Sequence, residues 1–372
     1  MKVLLLTTHL NPGGISAYIV NLAGYLKRKN VDVTVVSSGG SFERRLREKE
    51  IPHVWMDMKT KTEFGIKVWK TLPKLLRLIK AEGFDVIHAQ TRVAQVLGCL
   101  AGKFSTVPVV TTCHGFFKFH RFSRRLFPCW GDKTIAISES VLRHLTEDFG
   151  VSKDRAELVY NGIEIESYLS VKDVKDRKVL EDIGVNVDNF IVGSIGRLSP
   201  IKGYRYLISA FYELLKKNRD LSLVIIGDGP EKAVLKDQVR TLNVSDKVFF
   251  VRPERSLVSY LSIMDIFCLP SVNEGLGLSL MEAMAAGRAC VASNVGGMKE
   301  LIFDQSDGVL VEQGNPGAIS SAICSLVEDD SLRKRLGKAA REKAKRMFSM
   351  EDSVKKTIEV YEKALGHRLN RG

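Results

Sequence analysis

Long apolar stretches are missing from this sequence. The longest apolar run near the start covers residues 3–6, and no stretch of about 18 apolar residues occurs without a charge, so we expect no signal peptide and no membrane-spanning helix. Proline is scarce, at 10 residues, and no segment is low in complexity, which excludes collagen, coiled coil and extensive disorder. The six cysteines include no C-x-x-C pair, so we expect reduced thiols in a cytoplasmic protein and no zinc site.

Three nucleotide-binding motifs are also missing. The sequence contains neither G-x-G-x-x-G nor G-x-x-x-x-G-K-[ST], which argues against a nicotinamide enzyme and a P-loop ATPase. It contains no Asp-x-Asp pair to hold a nucleotide-bound divalent metal. We therefore expect no cofactor and no metal requirement.

The charge is basic and unevenly distributed. The chain has 372 residues, is 45% hydrophobic and 27% charged, and has a formal net charge of +13. This length and balance are typical of a soluble globular protein with two domains. Residues 1–168 alone contain 25 basic and 16 acidic side chains. Such an excess attracts anions, which leaves open nucleic acid, a phosphorylated substrate or an anionic bilayer.

Alternating strand and helix patterns predict two successive α/β domains. Predicted strands of the first half lie at residues 3–6, 31–36, 86–88, 107–111 and 134–137. After a polar stretch near 167–188 the pattern restarts, with strands at 190–195, 223–226, 248–251, 266–269 and 290–292. This alternation is typical of parallel sheets covered on both faces. We place the first domain at 1–167 and the second at 168–350, and residues 351–365 read as a separate amphipathic helix.

Two loops have the residue types that bind phosphate. Gly13 and Gly14 lie between a predicted strand and helix, where the backbone can approach an anion at the helix N-terminus; a plain tight turn would look the same. Arg197 and Lys202 follow a strand and open a helix, which places two cations where an anion would bind. A solvated loop is the alternative.

Two further features suit a sugar. Glu274 precedes a glycine-containing loop that opens a predicted helix at 278–286, and Glu282 lies in the second to third turn of that helix. Carboxylates accept several hydrogen bonds from hydroxyl groups. His114 ends an apolar strand, where a side chain of the first domain would reach a ligand. A lone histidine is more often structural, so this residue needs further support.

These motifs together resemble retaining glycosyltransferase family 4, which has the GT-B fold. The resemblance covers nearly the whole chain and follows the family's order. It rests on the turn 12–14, His114-Gly115, residues 160–163, Gly196-Arg197 with Lys202-Gly203, residues 227–230, the E-x7-E region 270–287, and residues 296–300. The fold implied is α/β, with two doubly wound Rossmann-like domains facing a central cleft. The family also implies that the final helix, 351–372, packs back on the first domain.

The resemblance implies a role for each matching position. Arg197 and Lys202 would hold the donor diphosphate, assisted from the other domain by Gly14 beside Gly13. Glu282 would bind the ribose hydroxyls. Glu274 and His114 would bind the transferred sugar near its anomeric carbon, and with Arg197 and Lys202 they form the expected catalytic set. The donor-binding set is completed by Gly229, Gly275, Leu276 and Gly277.

The implied reaction moves a sugar from a nucleotide-diphosphate sugar to an acceptor with retention. Negative charge builds on the leaving diphosphate, and Arg197 and Lys202 would stabilise it without a metal. Two departures occur: residues 287–289 read Gly-Arg-Ala where Gly-x-Pro is usual, and Arg252 replaces a common glycine near the expected base pocket. The base is thus left open, with UDP favoured and GDP second.

Residues 116–127 combine aromatic and basic side chains. Phe119 and Phe122 share one side of a helical projection, whereas Arg121, Arg124 and Arg125 occupy another arc. This pattern suits an anionic bilayer surface; an ordinary helix with a buried face is the alternative. We therefore expect a glycan or lipid-linked acceptor, a role in bacterial-type cell-envelope polysaccharide or glycolipid synthesis, and a cytoplasmic protein docked on the inner face of the membrane.

Two rival interpretations are kept. A nucleotide-sugar epimerase could share the fold, but the ordered E-x7-E set argues against it. A non-catalytic anion- or nucleic-acid-binding protein is supported only by the net charge of +13. Because no RNA-binding motif accompanies that charge, we expect no nucleic-acid partner.

Overall fold

The computed structural model describes residues 1–60, 62–63, 65–117, 127–171, 175–217 and 220–369. The chain divides into two compact units. The first consists of Met1–Gly162 together with Met350–Gly372, and the second of Ile163–Ser349. The final helix thus belongs to the same unit as the N-terminal part of the chain.

The first unit contains a seven-stranded parallel sheet in the order β3-β2-β1-β4-β5-β6-β7. Its elements are β1 (Lys2–Leu6), α1 (Gly14–Arg28), β2 (Asp32–Ser37), α2 (Glu43–Glu48), β3 (His53–Trp55), α3 (Ile66–Glu82), β4 (Val86–Ala89), α4 (Arg92–Ser105), β5 (Val109–Cys113), β6 (Lys133–Ala136), α5 (Glu139–Arg143) with a π-helical turn at His144–Asp148, and β7 (Ala156–Leu158). The long C-terminal helix (Met350–Leu369) packs against α1, β5 and β6.

Side-chain alternation assigns different helices to the two faces of this sheet. Leu4 and Leu6 of β1, with Ile87 and Ala89 of β4, pack in one apolar cluster with α3 and α4. His88 points the other way, because successive strand residues face opposite sides, and there it meets the C-terminal helix. The central strands are buried on both faces, which is why they read as nearly continuous apolar runs.

The second unit contains a six-stranded parallel sheet in the order β10-β9-β8-β11-β12-β13. Its elements are α6 (Ile165–Leu169), α7 (Arg177–Ile183), β8 (Phe190–Ile195), a 3₁₀ turn (Pro200–Lys202), α8 (Tyr204–Leu215), β9 (Leu221–Ile226), α9 (Lys232–Thr241), β10 (Val248–Val251), α10 (Leu257–Ser262), β11 (Ile266–Leu269), α11 (Leu278–Ala285), β12 (Ala289–Ser293), α12 (Met298–Leu301), β13 (Val309–Val311), α13 (Pro316–Glu328) and α14 (Asp330–Met347). The C-terminal helix of the chain is α15 (Met350–Leu369).

Strand order predicts where each unit binds a ligand. The direction of winding reverses between β1 and β4 in the first unit and between β8 and β11 in the second. Ligands of doubly wound sheets bind beyond the carboxyl ends of the strands at this reversal point. The loops after β1, β8 and β11 carry the glycines, cations and carboxylate selected from the sequence.

All ten predicted strands are confirmed, and no strand end is shifted by more than two residues; the two-residue shifts occur at β5 and at the start of β9. Strand β5 starts at Val109 rather than at 107 because Pro108 has no N–H to donate, while its carbonyl accepts from Ile87 at 3.0 Å. The edge strands β3, β7 and β13 were not predicted, since three residues are too few to show a period. Of the helices within the described residues, none is both long and apolar enough to cross a bilayer.

Candidate functional site

Backbone hydrogen bonds join three loops at the carboxyl ends of β8, β9 and β11. The N–H of Leu198 donates to the carbonyl of Asp228 at 3.0 Å, and the N–H of Glu231 donates to that of Leu198 at 3.0 Å. On the other side, the N–H of Val272 donates to the carbonyl of Ile201 at 2.8 Å. The loops therefore form one connected rim, whose shape depends on main-chain contacts and not on flexible side chains.

Two glycines make this rim possible. Gly203 has φ 67°, and a Cβ atom there would lie 2.0 Å from the carbonyl oxygen of Pro270. A Cβ on Gly229 would lie 2.3 Å from the carbonyl oxygen of Leu198. Because neither position can accept a side chain without moving the backbone, the rim depends on glycine at both.

Lys202 and Glu274 meet on the rim as an ion pair, although 72 residues separate them. Each side chain is 17% exposed, so the pair is mostly buried but still reaches solvent. The hydroxyl of Ser271 donates to the same Glu274 oxygen at 3.3 Å. The family resemblance assigns these two residues separate roles, whereas the structure pairs them with each other.

Arg197 is exposed and lies in the same loop after β8, five residues before Lys202. Across the described part of the chain, no carboxylate lies within salt-bridge distance of its guanidinium group, so it is available to an incoming anion. The nearby Gly229 is differently placed, because its N–H already donates to Asp228 at 2.8 Å. That hydrogen bond, with smaller contributions from Lys232 and Arg252, lowers the pKa of the Asp228 carboxyl.

Glu282 is positioned by a tyrosine that sequence reasoning missed. It lies in α11 and accepts a hydrogen bond from the Tyr168 hydroxyl at 2.9 Å. Tyr168 lies in the short helix α6, which packs against α11. The preceding loop is firmly held, since Gly275, Leu276 and Gly277 are all buried. No local pattern around residue 168 identified this contact.

Three helices that follow central strands begin at glycine. The N-caps of α1, α8 and α11 are Gly13, Gly203 and Gly277, and as the structure describes them none has a side-chain cap bond or an acidic residue in the first turn. Helices elsewhere are capped by Ser138, Asp176, Ser256, Asn315 and Asp329. Gly13 and Gly14 are exposed, and nothing within 4 Å would meet a Cβ on Gly13. These uncapped N–H groups suit an anion.

In the first unit, His114 follows β5 directly and belongs to a buried polar chain. Its Nε2 lies 2.7 Å from Oε1 of Gln90, whose amide nitrogen lies 2.9 Å from Nε2 of His88. Nδ1 of His88 lies 2.7 Å from the hydroxyl of Tyr361 in α15. The position of Gln90 at a strand end was visible in the sequence, but nothing linked it to Tyr361.

Burial keeps both histidines of this chain neutral near pH 7. It lowers the pKa of His88 to about 3 and that of His114 to about 4. Since the Gln90 carbonyl oxygen is an acceptor, the Nε2 atom of His114 carries the proton. Nδ1 of His114 is then the acceptor nitrogen, which is the form needed to receive a hydrogen bond from a hydroxyl group.

Some predicted features lie beyond what the structure describes. Phe119, Phe122, Arg121, Arg124 and Arg125 fall outside the described residues. On the described side of that segment, Phe117 packs near Trp130 and His144. Within the described ranges, no group of three His, Cys, Asp or Glu side chains is arranged to share a metal ion.

Comparison with known protein families accounts for most of the chain. Residues 12–167 match the model described as Glycosyltransferase Family 4, and residues 176–343 match the model described as Glycosyl transferases group 1. The chain belongs to glycosyltransferase family 4. The first match contains Gly13, Gly14 and His114, and the second contains the connected rim with Arg197 and Lys202.

Curated relatives and solved structures match nearly the whole length. The D-inositol 3-phosphate glycosyltransferase of Corynebacterium glutamicum is 25% identical, over 99% of this chain and 98% of that protein. The Escherichia coli UDP-Gal:alpha-D-GlcNAc-diphosphoundecaprenol alpha-1,3-galactosyltransferase is 27% identical, over 80% of each. Anabaena HepE, solved in complex with UDP and glucose, is 24% identical over 97% of this chain and 99% of its own, with a TM-score of 0.85. The fold is GT-B, as predicted.

Proposed function

We propose that the chain transfers a sugar from a nucleotide-diphosphate sugar to a glycan or lipid-linked acceptor, with retention and without a metal. The main supporting observation is the Lys202–Glu274 ion pair at the reversal point of the second sheet, together with Arg197 in the same loop, which pairs with no carboxylate among the described residues. UDP is the favoured nucleotide and GDP the second. The E. coli relative is named for UDP-Gal, and HepE was solved in complex with UDP, which supports that order.

Donor binding would replace the Lys202–Glu274 ion pair by two contacts to the donor, one from each side chain. When the diphosphate arrives, Lys202 turns from Glu274 to the phosphate oxygens, and Arg197 joins it. The freed Glu274 carboxylate then accepts hydrogen bonds from the sugar hydroxyls. Loss of one such contact to the developing charge typically raises the barrier by about 3–4 kcal/mol. In this proposal Glu274 exchanges Lys202 for the sugar when the donor binds.

The remaining residues would orient the donor. Glu282, steadied by Tyr168, binds the ribose hydroxyls. The acceptor nitrogen of His114, Nδ1, accepts a hydrogen bond from a hydroxyl of the transferred sugar. Gly13 and Gly14 present backbone N–H groups to the diphosphate. The acceptor attacks the face that the diphosphate leaves, and a leaving phosphate oxygen takes the acceptor proton. The anomeric configuration is then retained without a covalent enzyme intermediate.

The acceptor and its place in the cell complete the proposal. The E. coli relative is named for a diphosphoundecaprenol acceptor, which supports a lipid-linked acceptor and a role in bacterial-type cell-envelope polysaccharide or glycolipid synthesis. We place the enzyme in the cytoplasm, docked on the inner face of the membrane. Residues 119–125 would contribute to that docking.

A thermal-shift screen tests the donor class. The chain is mixed with UDP, GDP, ADP, CMP and their sugars, with and without EDTA. A ligand at about 100 times its dissociation constant adds roughly 2.7 kcal/mol of stability. We expect a shift with UDP or GDP that EDTA leaves unchanged and that Lys202→Ala abolishes. The control Lys236→Ala, at an exposed lysine of the same unit, keeps the shift.

Other outcomes contradict the proposal in distinct ways. If no nucleotide shifts the melting temperature, the proposed donor site is contradicted. If EDTA abolishes the shift, the proposed metal independence is contradicted. Release of free nucleotide with an epimerised sugar and no acceptor identifies an epimerase, and an NMR spectrum showing the opposite anomer in the product refutes retention.

A further inference from the structure

Helix α3 has a face that the described residues of its own unit leave exposed. The helix buries Val68, Leu72, Leu75 and Ile79 in the core of the first unit. On the opposite side Ile66 is 73% exposed and Trp69 is 52% exposed. The exposed Pro73 follows at the next turn, at the spacing of residues that share one helix face.

The same face is strongly basic. The helix contains five cations, and its one acidic residue is the final Glu82, which pairs with Lys2 at 2.7 Å. Lys67 pairs with Asp57 at 2.8 Å. The other four cations are exposed, and no described carboxylate lies within salt-bridge distance of them; they are Lys70, Lys74, Arg77 and Lys80.

A second exposed aromatic residue is tied to the start of this helix. Phe127 is 54% exposed, and its carbonyl accepts from Nη2 of Arg92 at 2.7 Å. Nε of Arg92 lies 3.1 Å from the carboxylate of Glu63, just before α3. The buried Arg92–Glu63 pair therefore holds residue 127 close to the N-terminal end of the exposed face.

We propose that this α3 face, made of Ile66, Trp69, Lys70, Pro73, Lys74 and Arg77, docks on an anionic lipid bilayer. A helix lying in the bilayer surface needs an apolar and aromatic strip beside cations, and α3 supplies both. Nucleic acid or an acidic peptide would use the cations but offers no partner for exposed Ile66 and Pro73. The inference rests on the proposed function only in the choice of a lipid-linked acceptor as the reason to dock.

Vesicle flotation with the full chain tests the α3 face. The probes are phosphatidylcholine vesicles with and without 30% phosphatidylglycerol. The test variant is Lys70→Glu/Lys74→Glu/Arg77→Glu. Its control, Lys236→Glu/Lys338→Glu/Arg346→Glu, makes the same charge change at exposed positions of the second unit. Each cation near an anionic surface contributes roughly a factor of five, so the test variant should bind about a hundredfold more weakly.

The expected pattern has three parts. The wild-type chain and the control float with phosphatidylglycerol vesicles to within about twofold of each other. Trp69→Ala binds about tenfold more weakly, because the aromatic anchor is lost. The unfolding midpoint and the nucleotide thermal shift of every variant stay unchanged, so a failure of docking is distinguishable from a failure of donor binding.

Several outcomes overturn the inference. The wild-type chain could ignore phosphatidylglycerol vesicles, the triple variant could float as well as wild type, or the control could lose as much binding as the test variant. Tight binding to a single-stranded oligonucleotide at 200 mM salt, lost in the triple variant while vesicles are ignored, would assign the face to nucleic acid instead.

Discussion

Replacing Gln90 by leucine should remove the hydrogen bonds that link His114 to His88 in the first unit. Gln90 is 2% exposed and lies between two imidazole rings, accepting from His114 and donating to His88. Leucine has nearly the same volume, so the change removes hydrogen bonds without opening a cavity. His88 keeps its contacts with Thr112 and Tyr361, each at 2.7 Å.

The magnitude follows from the groups left behind. A buried polar group that loses its partner costs about 1–3 kcal/mol. Here the loss falls mainly on His114, since His88 retains two contacts. We therefore expect Gln90→Leu to lower the free energy of unfolding by about 2 kcal/mol. For a unit of this size that corresponds to a fall in the melting temperature of about 4–8 °C.

Urea unfolding measures the free energy of unfolding. Histidine NMR measures the pKa of His114 and so reports on its hydrogen bond to Gln90. In the wild-type chain the His114 resonance should titrate near pH 4. Gln90→Glu keeps an oxygen acceptor but adds a negative charge, so it should raise the pKa of His114. A loss below about 0.5 kcal/mol in Gln90→Leu, together with an unchanged His114 titration in Gln90→Glu, would refute the connection.

Two further predictions concern backbone approach and acid stability. Gly203→Ala should destabilise the second unit by at least about 2 kcal/mol more than Gly184→Ala in urea unfolding: both glycines are left-handed, but only a Cβ on Gly203 meets the carbonyl of Pro270. Equal losses would contradict this reasoning. Because His88 and His114 have lowered pKa values of about 3 and about 4, the unfolded chain binds more protons below about pH 6.5. The contribution of these two histidines to the free energy of unfolding is therefore fully present above pH 6.5 and is lost as the pH falls towards 3. Replacing both histidines by glutamine should make the free energy of unfolding depend less steeply on pH over this range. An unchanged slope would contradict this prediction.

The sequence by itself determined the elements and the type of site. Buried parallel strands carry nearly continuous apolar runs, and amphipathic helices carry a period of 3.6, so most elements were visible locally. The glycine-containing loops were visible too, because glycine marks turns and close backbone approaches wherever it stands. The order of these motifs along the chain, including Glu274 and Glu282 at their fixed spacing, was sufficient to suggest the family.

Only the tertiary structure decided which side chains meet. Lys202 reaches Glu274 across 72 residues, Tyr168 reaches Glu282 across 114, and His88 reaches Tyr361 across 273. No local period encodes these pairs, since they depend on which strands become neighbours. The sheet order places β8 beside β11, and the return of α15 to the first unit brings Tyr361 to β4. The hydrogen-bond partners and pKa shifts of these residues depend on those neighbours, because burial and hydrogen bonding are properties of the packed chain.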